Sequence, residues 1–419
     1  RLTGELTRTT FQLRLHAIEI ESGRPFDIRI DHADPTWGMG PRPDLRRMQV
    51  PLGPVVVFAA GNFPFAFSVA GGDTSSALAA GCPVVVKAHP GHLRLSDATA
   101  QTVLAALRSV DAPDGMFAVI HGEEAGRAAV LDPRIAAGAF TGSLAGGRAL
   151  FDLAASRPVP IPFFGELGSV NPVFVTRAAA ERRADTVAAE FVGSFTLGAG
   201  QFCTKPGLLF VPADSALPRL LAANPDYRPQ PMLSERMRGG FERSLARLRA
   251  QTEPLAATPD GGAGEPGPVL QMTSAAAVLA DPDALLEECF GPAALVVTYD
   301  DESELLDVAG QLPGQLTVTV IGEEDDAVAP ALIDLAAEHA GRVLWNQWPT
   351  GVSVTHAQQH GGPYPATTAP ATTSVGTAAI ARFLRPVAYQ GLPQALLPDA
   401  LQDANPLGIA ARLVDGRDA

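Results

Sequence analysis

Basic charge is scarce in this chain of 419 residues: 31 Lys and Arg stand against 45 Asp and Glu, a net charge of −14. A surface that acidic repels phosphate backbones and anionic headgroups, so nucleic-acid and membrane-surface roles are excluded as expectations. Cysteine is scarcer still. Cys82, Cys203 and Cys289 lie far apart, with no CxxC pair and no histidine at zinc-ligand spacing. That excludes a disulfide or zinc framework and predicts a reducing compartment, the cytoplasm, with no metal site. No apolar run reaches the roughly 18–20 residues that a spanning helix needs. The chain opens at Arg1 without a basic-then-apolar leader, so no secretion signal is expected, and a truncated N-terminus is.

Only two of the 31 basic residues are lysines, Lys87 and Lys205. Against so strong a preference for arginine, a retained lysine points to a site that needs a compact ammonium charge; chance retention is the plainer alternative.

What is abundant is apolar residue: 46% of the chain is hydrophobic and 18% charged, enough for a sizeable interior spread over two or three domains. The spacing predicts an amphipathic helix over Leu6–Ile20. A hairpin or arm, rather than core, is expected at about 24–50, with β-like runs at Ile28–Ile30 and Met48–Val50. From Pro54 onward strands and helices alternate. Strands are expected at 55–59, 83–87, 117–121 and 136–140, with helical text at 68–80, 96–110, 125–131 and 146–155 between and after them. Such alternation implies βαβ units and a doubly wound parallel sheet. A second α/β block begins near Gly168, with helices at 178–194, 236–249 and 302–311 and strands at 207–211, 293–298 and 316–321. Residues 253–268 read as a surface loop, and 348–375 as irregular.

Several residues carry possible chemistry. Cys203 sits in a Gly-flanked turn where a lowered pKa makes a thiolate nucleophile, although a lone cysteine is more often a small buried hydrophobe. Glu166, behind Phe163 and Phe164 and between glycines, has the setting of a desolvated general base with a raised pKa; a surface loop is the plainer reading. Asn62, after an apolar strand, can donate to an oxyanion or simply make a turn. Lys87 ends a buried strand, at the edge where open α/β sheets bind ligands. Gly142 and Ser143, between a strand and a helix, suit a phosphate without the usual GxGxxG spacing.

Taken in order, GNFPF at 61–65, VVVKAHP at 84–90, FTGS at 140–143, GELGSVNP at 165–172, GQFC at 200–203 and EECFGP at 287–292 resemble the aldehyde dehydrogenase superfamily over nearly the whole chain. KAHPGH, WNQWPTGV at 345–352, HGGPYPATT and TSVGTAAIARFLRPVAYQ are most similar to its NADP-preferring 2-oxoglutarate semialdehyde branch, with bacterial fatty-aldehyde dehydrogenases as the nearest cousins.

The resemblance implies a cofactor domain over 1–167 with the arm, a catalytic domain over 168–375, and a C-terminal oligomerisation strand and tail over 376–419. It implies Cys203 as nucleophile, Glu166 as base and Asn62 in the oxyanion hole. Lys87, Gly142, Ser143, Glu288 and Phe290 would hold the dinucleotide. His89 and Arg127 are candidates for a 2′-phosphate, and Pro90 stands where many NAD-using relatives have a carboxylate. Phe63 and Phe202 would wall the substrate, and Arg8 or Arg14 would meet its distal carboxylate, at most one of them pointing into the tunnel. NADP is the expected cofactor, with NAD possible, and a homodimer or homotetramer the expected assembly, the arm and the strand near 383–390 both being able to pair across subunits. A medium- or long-chain aldehyde dehydrogenase and a catalytically silent dinucleotide binder are the alternatives.

Overall fold

The computed structural model describes residues 2–224 and 226–418. Its first helix, α1 (Leu2–Glu21), forms where the spacing predicts one but presents the opposite face. Glu5, Thr9, Gln12, His16 and Glu19 are buried, while Leu6, Phe11, Leu13 and Ile18 are exposed. The three- and four-residue spacing of the buried set makes one helix face. That face is polar because it binds neighbouring groups instead of an apolar core. Glu5 Oε1 accepts from the Phe65 and Ala66 amides at 2.7 and 2.9 Å, and Gln12 Nε2 donates to the Ser75 hydroxyl at 3.2 Å.

After β1 (Ile28–Asp31) and β2 (Leu45–Pro51), the chain enters the first parallel sheet. β3 (Val55–Phe58) is buried along its whole length, as a continuous apolar run covered on both faces must be. With β4 (Val84–Lys87), β5 (Phe117–Ile120), β6 (Ala137–Thr141) and β7 (Phe163–Glu166) it forms the order β5-β4-β3-β6-β7, all parallel. The helices α2 (Gly72–Ala79), α3 (Leu93–Ser109), α4 (Glu123–Leu131) and α5 (Leu144–Ala155) connect successive strands. The strand order reverses beside β3, which opens a crevice at the carboxyl ends of β3 and β6. Glu166, read from sequence as part of a loop, is the last residue of β7.

The second sheet comprises β8 (Pro172–Val175), β9 (Leu208–Pro212), β10 (Glu253–Ala257), β11 (Val269–Ser274), β12 (Ala293–Tyr299), β13 (Gln315–Ile321) and β14 (Ala340–Trp345), in the order β10-β11-β12-β9-β8-β13-β14. Only the β10–β11 pair is antiparallel among these. The expected loop at 253–268 is therefore partly wrong: its first five residues form the edge strand β10. Phe174 and Phe210 stack at 4.7 Å in the core. The helices α6 (Arg177–Thr196), α7 (Leu217–Ala222) and α8 (Glu235–Arg249) belong to this half of the chain.

A third sheet, in the order β15-β2-β1-β16-β17, adds β15 (Leu384–Gln390), β16 (Arg412–Val414) and β17 (Arg417–Asp418) to the two early strands. β2 and β15 pair antiparallel over seven positions, from Leu384 opposite Pro51 to Gln390 opposite Leu45. The arm and the C-terminal strand therefore pair with each other within one chain. Nor is the arm without a core: Ile28 and Ile30 are buried against Leu397, Ala400 and Leu401. Among the described residues, no helix is long and apolar enough to cross a membrane.

Candidate active site

The loop between α6 and β9 carries Cys203 on a tightly specified backbone. Gly198, Ala199 and Gly200 have φ of 59°, 57° and 65°, a left-handed run that glycine adopts readily and alanine only at a cost. A Cβ added to Gly200 would lie 2.1 Å from the Gly291 carbonyl oxygen. Any side chain there would push apart the Cys203 loop and the loop of Glu288 and Phe290. Asn171, a buried residue that sequence reasoning passed over, braces the same loop. Its Nδ2 donates to the carbonyls of Cys203 and Lys205 at 2.8 and 2.9 Å, and its Oδ1 accepts from Thr317 at 2.9 Å.

Asn62, Lys87, His89, Arg127, Gly142, Ser143, Glu166, Cys203, Glu288 and Phe290 all line one cavity of ≈ 1110 Å³ between the first and second sheets. Asn62 is tied to the cysteine loop through Nδ2, 3.2 Å from the Gln201 carbonyl. Ser143 caps α5, its hydroxyl accepting from the Gly146 amide at 3.3 Å. Phe63 and Phe202 meet edge to face at 5.2 Å, and Phe67 lies 5.6 Å from Phe63. The Arg8 guanidinium lies over the Phe67 ring at 5.2 Å. Arg14 is corrected: it lies exposed on the outer side of α1, because α1 turns the face of Glu5, Thr9 and Gln12 inward.

Glu166 is where the structure departs most from expectation. His360 Nε2 stands 2.9 Å from its Oε1, and the Ser374 hydroxyl donates to its Oε2 at 2.8 Å. Burial pushes the carboxyl up, but His360, Ser374 and Cys203 together outweigh it and hold Glu166 below its ordinary value. The expected rise is thus reversed. A base whose partners favour its charged form is ionised at neutral pH. Cys203 Sγ lies 3.5 Å from His360 Nε2. Its thiol is pushed well above the ordinary value, first by burial and then by the Glu166 charge. The resting pair is therefore a thiol beside a carboxylate, and thiolate formation requires moving a proton between neighbours.

His360 and Ser374 were missed because nothing in HGGPYPATT or its surroundings marks a histidine of the site until the fold brings it 157 residues back to Cys203. The two lysines separate into different roles. Lys87 lines the cleft, whereas Lys205 is buried, with Nζ donating to the Cys289 and Ala293 carbonyls at 2.7 and 2.6 Å. It fastens the loop that carries Glu288 and Phe290. Burial raises the Glu288 carboxyl to about 7, against the pull of Lys205.

A nucleophile, an ionised base and a hydrogen-bonding amide on a dinucleotide-sized cleft can support oxidation through an acyl intermediate. Comparison with known proteins agrees. Residues 38–364 match the aldehyde dehydrogenase family. The chain is 46% identical to alpha-ketoglutaric semialdehyde dehydrogenase of Acinetobacter baylyi, over 99% of this chain and 80% of that protein. It is 45% identical to alpha-ketoglutaric semialdehyde dehydrogenase 2 of Azospirillum brasilense, over 100% of this chain and 81% of the relative. The fold is similar to proline utilization A of Bradyrhizobium japonicum, with a TM-score of 0.73 at 24% identity, over 88% of this chain and 37% of that one. It is also similar to 1-pyrroline-5-carboxylate dehydrogenase from Thermus with bound NAD, with a TM-score of 0.69 at 23% identity, over 83% and 67%. The chain belongs to the aldehyde dehydrogenase family.

Proposed function

We propose that this protein oxidises 2-oxoglutarate semialdehyde to 2-oxoglutarate with NADP, through a thioester on Cys203. The observation that carries this reading is the meeting of His360 with Cys203 and Glu166, the latter two lining the cleft; the substrate rests on the activities named for the two bacterial relatives. Cys203 gives its proton to the neighbouring Glu166–His360 pair and attacks the aldehyde carbon. Asn62 and the Cys203 backbone amide stabilise the oxyanion. NADP, when bound, supplies the hydride acceptor. Once the thiol proton has passed on to solvent, Glu166 takes a proton from water, whose oxygen attacks the thioester; the acid leaves and this second proton returns to the Cys203 sulfur.

The cleft fits such a cofactor. It offers the capped N-terminus of α5 at Ser143 for phosphate, with Lys87, His89 and Arg127 on the same cavity and no carboxylate at Pro90. Lys87, His89 and Arg127 favour a 2′-phosphate, so NADP is preferred over NAD. Glu288 and Phe290 hold the other end.

Arg8 meets the distal carboxylate. Its Nε donates to the Val352 carbonyl at 3.4 Å, while both Nη atoms are buried without a hydrogen-bond partner among the described residues. Two buried guanidinium nitrogens without acceptors are costly, and a substrate carboxylate relieves that cost. The test is aldehyde-dependent NADPH production by the purified protein, comparing the semialdehyde with an uncharged aldehyde of equal length and NADP with NAD. The semialdehyde should lead in kcat/KM by well over tenfold. A preference for hexanal or longer chains, which Phe63, Phe67 and Phe202 would accommodate, moves the protein to the fatty-aldehyde side.

A further inference from the structure

We propose that Cys203, Glu166 and His360 form a capture site for Zn²⁺, which withdraws nucleophile and base together and switches the enzyme off reversibly. One ligand atom from each of the three residues lies within 4.8 Å of the other two. Zinc bonds of about 2.3 Å to sulfur and about 2.0–2.1 Å to nitrogen and oxygen, at tetrahedral angles, require ligand separations of about 3.3–3.6 Å. The sulfur–nitrogen distance is already 3.5 Å, and the nitrogen–oxygen distance of 2.9 Å has only to open slightly. Cysteine, histidine and carboxylate are zinc's preferred ligands, and the Glu166 carboxylate with the Cys203 thiolate formed on binding balances its charge.

The site is reachable, since Cys203 and Glu166 line the open cleft, and water would complete the fourth position. Ser374 holds Glu166 through Oε2, which leaves Oε1 aimed at the shared centre. On binding, the thiol proton passes to solvent, the sulfur–zinc bond forms, and imidazole and carboxylate each contribute a lone pair. Nothing is oxidised or reduced. The imidazole proton then sits on Nδ1, an atom without a hydrogen-bond partner among the described residues. A histidine ligand unbraced in this way binds more weakly than one in a structural zinc site, so a chelator should remove the ion. The sequence hides the site because its ligands lie 157 and 194 residues apart.

The probe is the metal alone, Zn²⁺ or its spectroscopic substitute Co²⁺, titrated into the full chain without aldehyde or cofactor. One Co²⁺ per chain is expected, with tetrahedral visible bands and a near-ultraviolet thiolate band. Cys203→Ala should abolish the thiolate band, and His360→Gln and Glu166→Gln should each weaken binding at least tenfold. In the unaltered enzyme, Zn²⁺ should also protect Cys203 from iodoacetamide until a chelator is added, a readout that does not depend on any variant folding. Alkylation of Cys203 unaffected by Zn²⁺ overturns the proposal, as does a thiolate band that survives Cys203→Ala or an affinity indifferent to His360→Gln. Metal capture and dehydrogenase activity are read separately, so either can fail alone.

Discussion

His360 and Glu166, 194 residues apart in sequence, share a hydrogen bond of 2.9 Å whose imidazole nitrogen also faces the Cys203 sulfur. Of the forces on Glu166, burial alone favours the neutral acid; its partners reverse that preference. His360→Gln keeps a hydrogen-bonding side chain but removes the imidazole, so the Glu166 carboxyl should move upward. The acid limb of kcat/KM should then shift to higher pH, with a loss of about 10²-fold near neutrality. An unmoved limb would assign His360 a packing role only.

The thiol of Cys203 is held above its ordinary value by burial and by Glu166. Only the thiolate reacts with alkylating agents, and below its pKa the thiolate fraction grows about tenfold per pH unit. Iodoacetamide inactivation of the cofactor-free enzyme should therefore climb steadily from pH 7 to about pH 9 without levelling. A plateau below pH 8 would mean that the thiolate is already formed at rest.

Cys203→Ser should abolish turnover while leaving dinucleotide binding intact, because a hydroxyl does not ionise near neutrality as a thiol can. Glu166→Gln should give a stoichiometric burst of NADPH and then stall at the thioester. Rapid-mixing absorbance distinguishes the two, and a Glu166→Gln enzyme without a burst would mean that His360 alone does not take the thiol proton and that Glu166 is required in the first step.

Arg8→Met preserves much of the side chain's apolar length over Phe67 but deletes its charge. The expected cost in kcat/KM for the semialdehyde is about 2–5 kcal/mol, as for a lost partner of a buried charge. The uncharged aldehyde of equal length should change little, and equal losses on both would remove Arg8 from carboxylate recognition.

How much of this was written locally in the chain can be judged residue by residue. Cys203, Glu166, Asn62 and Lys87 each sit in a short motif whose glycines and strand ends are themselves local, and all four line the cleft. The alternation of apolar runs likewise identified most strands of the first sheet. What escaped was decided between distant segments. Burial of Glu166 was foreseeable from its aromatic neighbours, but the sign of its pKa shift depends on His360 and Ser374, which arrive from 194 and 208 residues away. In α1, periodicity located the helix but not its inward face. Glu5 is buried because two backbone amides of the 65–66 turn need an acceptor, a demand that no apolar pattern records.

The ladder between β2 and β15 bears on how the chain is made. Leu45–Pro51 leaves the ribosome ahead of the first and second sheets, and its seven-position partner emerges only after the second of them has been synthesised. At ordinary elongation rates that interval is on the order of tens of seconds. Throughout it, one side of β2 is an unpaired edge able to accept a strand from any neighbouring chain. Three of its seven residues, Arg46, Arg47 and Pro51, are of the kinds that discourage such pairing. The strand that finally closes this edge lies beyond the whole second sheet in chain order, so the arm completes its pairing only after that sheet has been made.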